Sequence, residues 1–239
     1  MSPRFAGSVV LVAGGTGGLG RAVTAAFLEE GANVVVTYRN KPEWEALKSA
    51  ETASASRLEG LVVDVTDETA VGQLVEKILL QHRRLDAMVN TVGGYAGGLK
   101  LWEMDTKVFE QMLNLNLRSG YTLSRAAIRA MLKRGRGAIV SVSAKAAFDH
   151  AAGASAYAAS KAAAVAMLDC LAADAKGTGV RVNTILPSII DTEANRKAMP
   201  KADFAKWPKP QDIARVILFL CSEEAKVIHG AAITVYGDS

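Results

Sequence analysis

The sequence predicts a single α/β domain built on a doubly wound parallel sheet of about seven strands, with helices on both faces. Three observations carry this. Short apolar runs alternate with helix-period segments along all 239 residues, the pattern of strand–helix units winding a parallel sheet. The apolar runs are rich in Val and Ile and do not alternate with polar residues, as expected of strands covered on both faces. No internal repeat, low-complexity linker or composition break divides the chain, so residues 1–239 are read as one domain. Hydrophobic residues make up 50% of the chain, enough for a sizeable core and against disorder.

Taken in order, strands are expected at 9–13, 33–37, 60–64, 87–91, 138–143, 181–186 and 232–235. Helices are expected at 18–30, 43–53, 67–82, 105–132, 155–176 and 210–221. The third helix starts where Thr66 or Asp67 can cap it. The fifth is rich in Ala, the best helix former, and is apolar on nearly every side through residues 162–168, so it needs cover on both faces.

The net charge of +4 is modest and the basic residues are scattered, which argues against a nucleic-acid partner. The N-terminus runs straight into a strand-like segment, and no run of about 18 apolar residues occurs, so a soluble cytoplasmic protein without a signal peptide or membrane partner is expected. Cys170 and Cys221 lack metal-ligand spacing and read as small buried hydrophobes. His82, His150 and His229 have no partner spacing for a metal, and none is expected; His150 lies close enough to Tyr157 in sequence to line a pocket with it.

Candidate functional residues fall at the ends of successive strands. The first strand leads into Gly14-Gly15-Thr16-Gly17-Gly18-Leu19-Gly20, which opens the first helix. Glycines there permit a tight turn and close approach of a pyrophosphate to the helix N-terminus, a Rossmann-like arrangement. The second strand ends in Thr37-Tyr38-Arg39-Asn40, without the acidic residue that would grip the ribose hydroxyls of NAD. Arg39 is available for a 2′-phosphate, so NADP(H) is favoured over NAD(H). After the third strand, Asp64 can accept a hydrogen bond from an adenine amino group. After the fourth, a glycine-rich loop carries Tyr95, a candidate wall of a substrate pocket. Tyr157 and Lys161 share one helix face, and an ammonium beside a phenol should lower the phenol's pKa toward working pH.

With these residues in view the chain resembles the short-chain dehydrogenase/reductase family along its whole length. The resemblance rests on Gly14, Gly18, Leu19 and Gly20, on Asp64 and Asn90, on Asn116, on the Tyr157–Lys161 pair, and on Pro187 and Thr192. It implies that Tyr157 is the general acid, that Lys161 binds the nicotinamide ribose, and that Asn116 holds a water in a proton relay. It further implies coenzyme contacts from Thr16, Gly17, Val65, Asn90 and Ile190, and a homodimer or homotetramer. One departure matters: the family's Ser thirteen residues before the Tyr is Ala144 here, and Ser143 should point to the other side of its strand.

The quinonoid dihydropteridine reductase branch also carries Ala at this place. Residues 92–98, 144–149 and 191–207 are similar to its segments. That likeness implies a small-molecule substrate of the conjugated-imine type, already activated for hydride, flanked by Tyr95, Ala144, Phe148 and Trp207, under a substrate loop around 188–209. The alternatives are reduction of a ketone or 3-oxoacyl thioester, and a non-catalytic NADP(H)-binding sensor or scaffold.

Overall fold

A computed structural model describes residues 3–239. Seven strands form one parallel sheet in the order β3-β2-β1-β4-β5-β6-β7. They are β1 (Val9–Ala13), β2 (Asn33–Tyr38), β3 (Leu58–Val62), β4 (Ala87–Asn90), β5 (Gly137–Val142), β6 (Val180–Pro187) and β7 (Ala232–Val235). The helices are α1 (Gly18–Glu29), α2 (Lys41–Ala50), α3 (Glu68–His82), α4 (Thr106–Leu113), α5 (Ser119–Leu132), α6 (Ser155–Asp174), α7 (Glu193–Ala198) and α8 (Pro210–Cys221).

The pleat of β1 shows why the strands are continuously apolar. Val9, Leu11 and Ala13 face a core built with Leu74 and Ile78 of α3, Leu123 and Met131 of α5 and Leu168 of α6. Val10 and Val12 face the opposite core, with Val23 and Phe27 of α1 and Ile213 and Ile217 of α8. Successive side chains therefore leave opposite faces of the sheet, and each meets a helix layer. Strand order reverses between β1 and β4, which opens a crevice at their carboxyl ends.

Asp86, just before β4, ties the amino-terminal edge of the sheet together. Its carboxylate accepts from the Val9 N–H at 2.9 Å, from Arg84 at 2.6 and 2.7 Å and from Arg134 at 3.0 Å. Burial opposes its charge, but these donors hold the carboxyl below the usual range.

Several expected boundaries shift. β3 lies at Leu58–Val62 rather than 60–64, because its register pairs Leu58 with Val34 and Val62 with Tyr38. Asp64 thus sits in the loop beyond the strand. The second helix runs Lys41–Ala50, with Pro42 in its first turn, where a missing N–H costs nothing. The single helix expected over 105–132 is two α-helices joined by a π-helical turn, Asn114–Arg118. Asp67 caps α3, accepting from the N–H groups of Thr69 and Ala70. Cys170 is exposed on α6 rather than buried; burial pushes the Cys221 thiol up to about 12. Among the described residues, α6 is long and apolar enough by length and composition to cross a bilayer; here it lies against the sheet and buries Lys161.

Candidate active site

Two adjoining cavities run along the carboxyl edge of the sheet. The first, about 290 Å³, is bounded by the glycine turn (Gly14, Thr16, Gly17), the end of β2 (Arg39) and the loop after β3 (Asp64, Val65). The second, about 600 Å³, is lined by Tyr157, Lys161, Tyr95, Ala144 and the loop after β6. Thr91 and Gly93 line both, so the two form one path from the glycine turn to Tyr157.

The glycines are fixed by close packing. Gly14 has φ +75°, a left-handed conformation that L side chains seldom adopt. A Cβ on Gly20 would lie 2.0 Å from the Gly14 carbonyl oxygen, and one on Gly18 would lie 2.8 Å from Cγ2 of Thr192. Gly17 takes the N-cap position of α1 with no side chain over the helix end, leaving its N–H groups open to an anion.

Burial sets the electrostatics at Tyr157. Lys161 Nζ donates to the Val142 carbonyl at 3.3 Å and stands 5.9 Å from the centre of the Tyr157 ring. Burial lowers its pKa to about 8. Burial, with a smaller contribution from Tyr95, raises Tyr157 to about 12. The expected depression of the phenol by Lys161 does not appear, because burial and Tyr95 both act to raise it. Tyr95 meets Tyr157 edge to face, with ring centres 5.0 Å apart.

Asn116 lies in the π-helical turn, a widened turn often found at functional sites. Its Oδ1 accepts from the Gly94 N–H at 2.9 Å; its Nδ2 donates to the Gly94 carbonyl and to Ser160 Oγ, each at 3.0 Å. The amide thus clamps the loop after β4. Its side-chain hydrogen bonds run to Gly94 and Ser160. The same loop passes so close that a Cβ on Gly93 would lie 2.9 Å from Lys161 Nζ and 3.0 Å from Asn116 Oδ1.

Other expected site residues divide. Leu19, Pro187, Ile190 and Ala144 line the larger cavity. Asn90 does not reach either cavity; it is buried, accepting from the Val92 N–H and donating to Ser141 Oγ. Thr192 packs on Gly18 and caps α7. Asp64 Oδ1 accepts from the Thr66 N–H and hydroxyl, which hold its carboxyl below the usual range. Phe148 is 60% exposed and is not among the residues lining the cavity. Trp207 is buried against Phe204 and anchors the loop instead of walling it. Beside it, the Asp191 N–H donates to the Pro208 carbonyl at 3.0 Å, closing the loop at its base. His150 is exposed, its Nε2 by the Ala147 carbonyl. Both nitrogens of His229 meet backbone groups, the Val182 N–H and the Ala172 carbonyl. Among the described residues no group of three His, Cys, Asp or Glu is placed to hold a metal.

Lys145, Ser188, Asn195 and Met199, which lie in the segments expected on the substrate side but were not singled out from the sequence, line the larger cavity. Sequence reasoning missed Glu43 beside the glycine turn. Ser143 does face the larger cavity, contrary to the alternation argument, but its hydroxyl donates to the Lys161 carbonyl at 3.0 Å. Ser188 donates to the Tyr236 carbonyl at 2.6 Å.

A parallel sheet with a glycine turn at its crevice, and a buried Tyr and Lys further along that edge, defines a nucleotide-dependent oxidoreductase. The family model described as short chain dehydrogenase matches residues 8–203, and the chain belongs to that family. It is 30% identical to the 3-oxoacyl-acyl-carrier-protein reductase FabG of Thermotoga maritima, over 98% of both chains. It is 32% identical to the D-threitol dehydrogenase of Mycolicibacterium smegmatis, over 98% of this chain and 93% of that one. The solved structure of ElxO with NADP bound superposes with a TM-score of 0.90 at 26% identity, covering 96% of this chain and 97% of that one. These relatives show the family at large and do not single out the dihydropteridine reductase branch within it.

Proposed function

We propose that the protein is an NAD(P)H-dependent reductase of a small conjugated imine of the dihydropteridine type. The observation that carries this is the want of a free serine hydroxyl beside Tyr157. Ala144 lines the cavity without a hydroxyl, Ser143 and Ser188 both give their protons to backbone carbonyls, and Ser239 Oγ is engaged by Ser188 Oγ and the Tyr236 carbonyl. A ketone needs a second donor to polarise its oxygen; a conjugated imine is already polarised. Tyr95, edge-on to Tyr157, offers an aromatic surface to a flat ring.

The residues fit a nicotinamide dinucleotide. The continuous path, the tight glycine cradle and the open start of α1 match a pyrophosphate between two nucleosides. When bound, such a coenzyme supplies the hydride. Thr16, Gly17, Arg39 and Val65 would hold its adenosine side, and Leu19, Pro187 and Ile190 its other end. Tyr157, protonated throughout the neutral range, gives its proton to the substrate. Lys161 contributes a buried cation, and Asn116 holds Gly93 and Gly94 against it. Residues 188–209, closed at the Asp191–Pro208 bond, cover the substrate. A soluble, cytoplasmic enzyme and NADP(H) preference through Arg39 complete this reading.

A second reading, reduction of a 3-oxoacyl thioester, is supported by the relation to the Thermotoga enzyme. Coenzyme oxidation with a quinonoid dihydropterin and with an acetoacetyl thioester separates the two. The pterin is expected to turn over faster, and Tyr157→Phe to slow it by about 10²–10⁴-fold while coenzyme still binds. Ala144→Ser is expected to favour the thioester. Faster thioester turnover by the unaltered protein would sink the imine reading; coenzyme binding with neither reaction would indicate a sensor or scaffold.

A further inference from the structure

Glu43 lies in the first turn of α2, facing the smaller cavity together with Arg39 and Thr16. Its Oε2 accepts the Thr16 hydroxyl at 3.1 Å, and its Oε1 accepts from Asn40 Nδ2 at 3.1 Å. Thr16 is only 5% exposed, so this contact fixes the carboxylate on the wall of the cavity. Both partners are neutral, and the Arg21 guanidinium is directed at the backbone carbonyls of Thr16 and Glu43 instead. The carboxylate thus stands at the place where the end of β2 would address an adenosine ribose.

We propose that Glu43 is a determinant of coenzyme choice: it opposes a 2′-phosphate that Arg39 attracts, and accepts a free ribose hydroxyl. The proposal rests on reading the cavity as a dinucleotide site. An acidic residue absent from the end of β2 is supplied from the next helix, and it engages the Thr16 hydroxyl that a phosphate oxygen would otherwise use. Arg39 and Glu43 act with opposite sign on one group, so Glu43 weakens the NADP(H) preference that Arg39 sets.

The test is titration of the full chain with NADPH and with NADH, followed calorimetrically. Glu43→Gln is expected to tighten NADPH by about fivefold or more, as removal of a partly screened like charge should. NADH should bind unchanged or more weakly. The NADPH gain should shrink in high salt, where the repulsion is screened. Arg39→Ala should move the ratio the other way. A role confined to the start of α2 would alter thermal stability and leave the ratio of the two affinities fixed, and that result overturns the proposal. Failure of the unaltered protein to bind either coenzyme overturns the dinucleotide reading with it.

Discussion

Tyr157 and Lys161 are both driven toward their uncharged forms by burial. Lys161 is 5% exposed and its pKa falls to about 8, while the phenol rises to about 12. The spacing of the pair was legible in the sequence, since residues four apart share a helix face. The direction of the phenol's shift was not, because it depends on how much protein closes over the ring. Lys161 carries a consequence for stability. Between pH about 8 and its ordinary 10.5 the unfolded chain binds the extra proton, so this group makes stability rise with pH across that window. Below it the full penalty is present. Lys161→Met is therefore expected to raise stability at pH 7 by on the order of 1–3 kcal/mol, or about 2–4 °C in Tm per kcal/mol, while abolishing turnover. The stability gain should vanish above the window. A lower Tm at pH 7 would mean that the bond to the Val142 carbonyl outweighs the burial of charge.

At the scale of elements, the π-helical turn between α4 and α5 and the glycine loop after β4 form one joint. Asn116 clamps Gly94, and Gly93 passes between Asn116 and Lys161. The sequence marked both segments but read the first as uninterrupted helix, because hydrophobic periodicity does not register one extra residue in a turn. Gly93→Ala forces a methyl against Lys161 Nζ and Asn116 Oδ1. Overpacking of this kind costs about 1–3 kcal/mol. Turnover is expected to fall by at least about tenfold, the equivalent of only ~1.4 kcal/mol at the transition state. Gly72 in α3 is the control, since a Cβ there meets nothing within 4 Å. Gly72→Ala should leave turnover intact and raise stability by up to about 1 kcal/mol. Equal activity in the two variants would show that the joint does not position Lys161.

At the scale of the whole molecule, the helix that carries Tyr157 and Lys161 has an uncovered side. A groove of about 980 Å³ lies beside it, lined by Leu113, Leu117, Tyr121, Ala163 and Met167 among others. Tyr121 is 44% exposed. We read this apolar face as the seat of a second copy of the chain, in keeping with the all-round apolar sequence of α6. Met167→Glu is expected to convert a dimer or tetramer to monomers in sedimentation and to lower turnover by loosening α6. A monomeric unaltered protein would remove the proposal.

The sequence by itself determined the winding of the sheet, the glycine turn at its crevice and the Tyr157–Lys161 face. Each is encoded locally, in the period of apolar residues, in glycine at a strand-to-helix turn, and in four-residue spacing. Only the tertiary structure decided which groups meet across the chain. Phe148 is exposed and Trp207 buried; the hydroxyls of Ser143 and Ser188 are claimed by the Lys161 and Tyr236 carbonyls; and Glu43 reaches Thr16 at the smaller cavity. The physical reason is that such contacts join residues far apart in sequence, and burial and hydrogen-bond partners exist only once the sheet has brought those residues together.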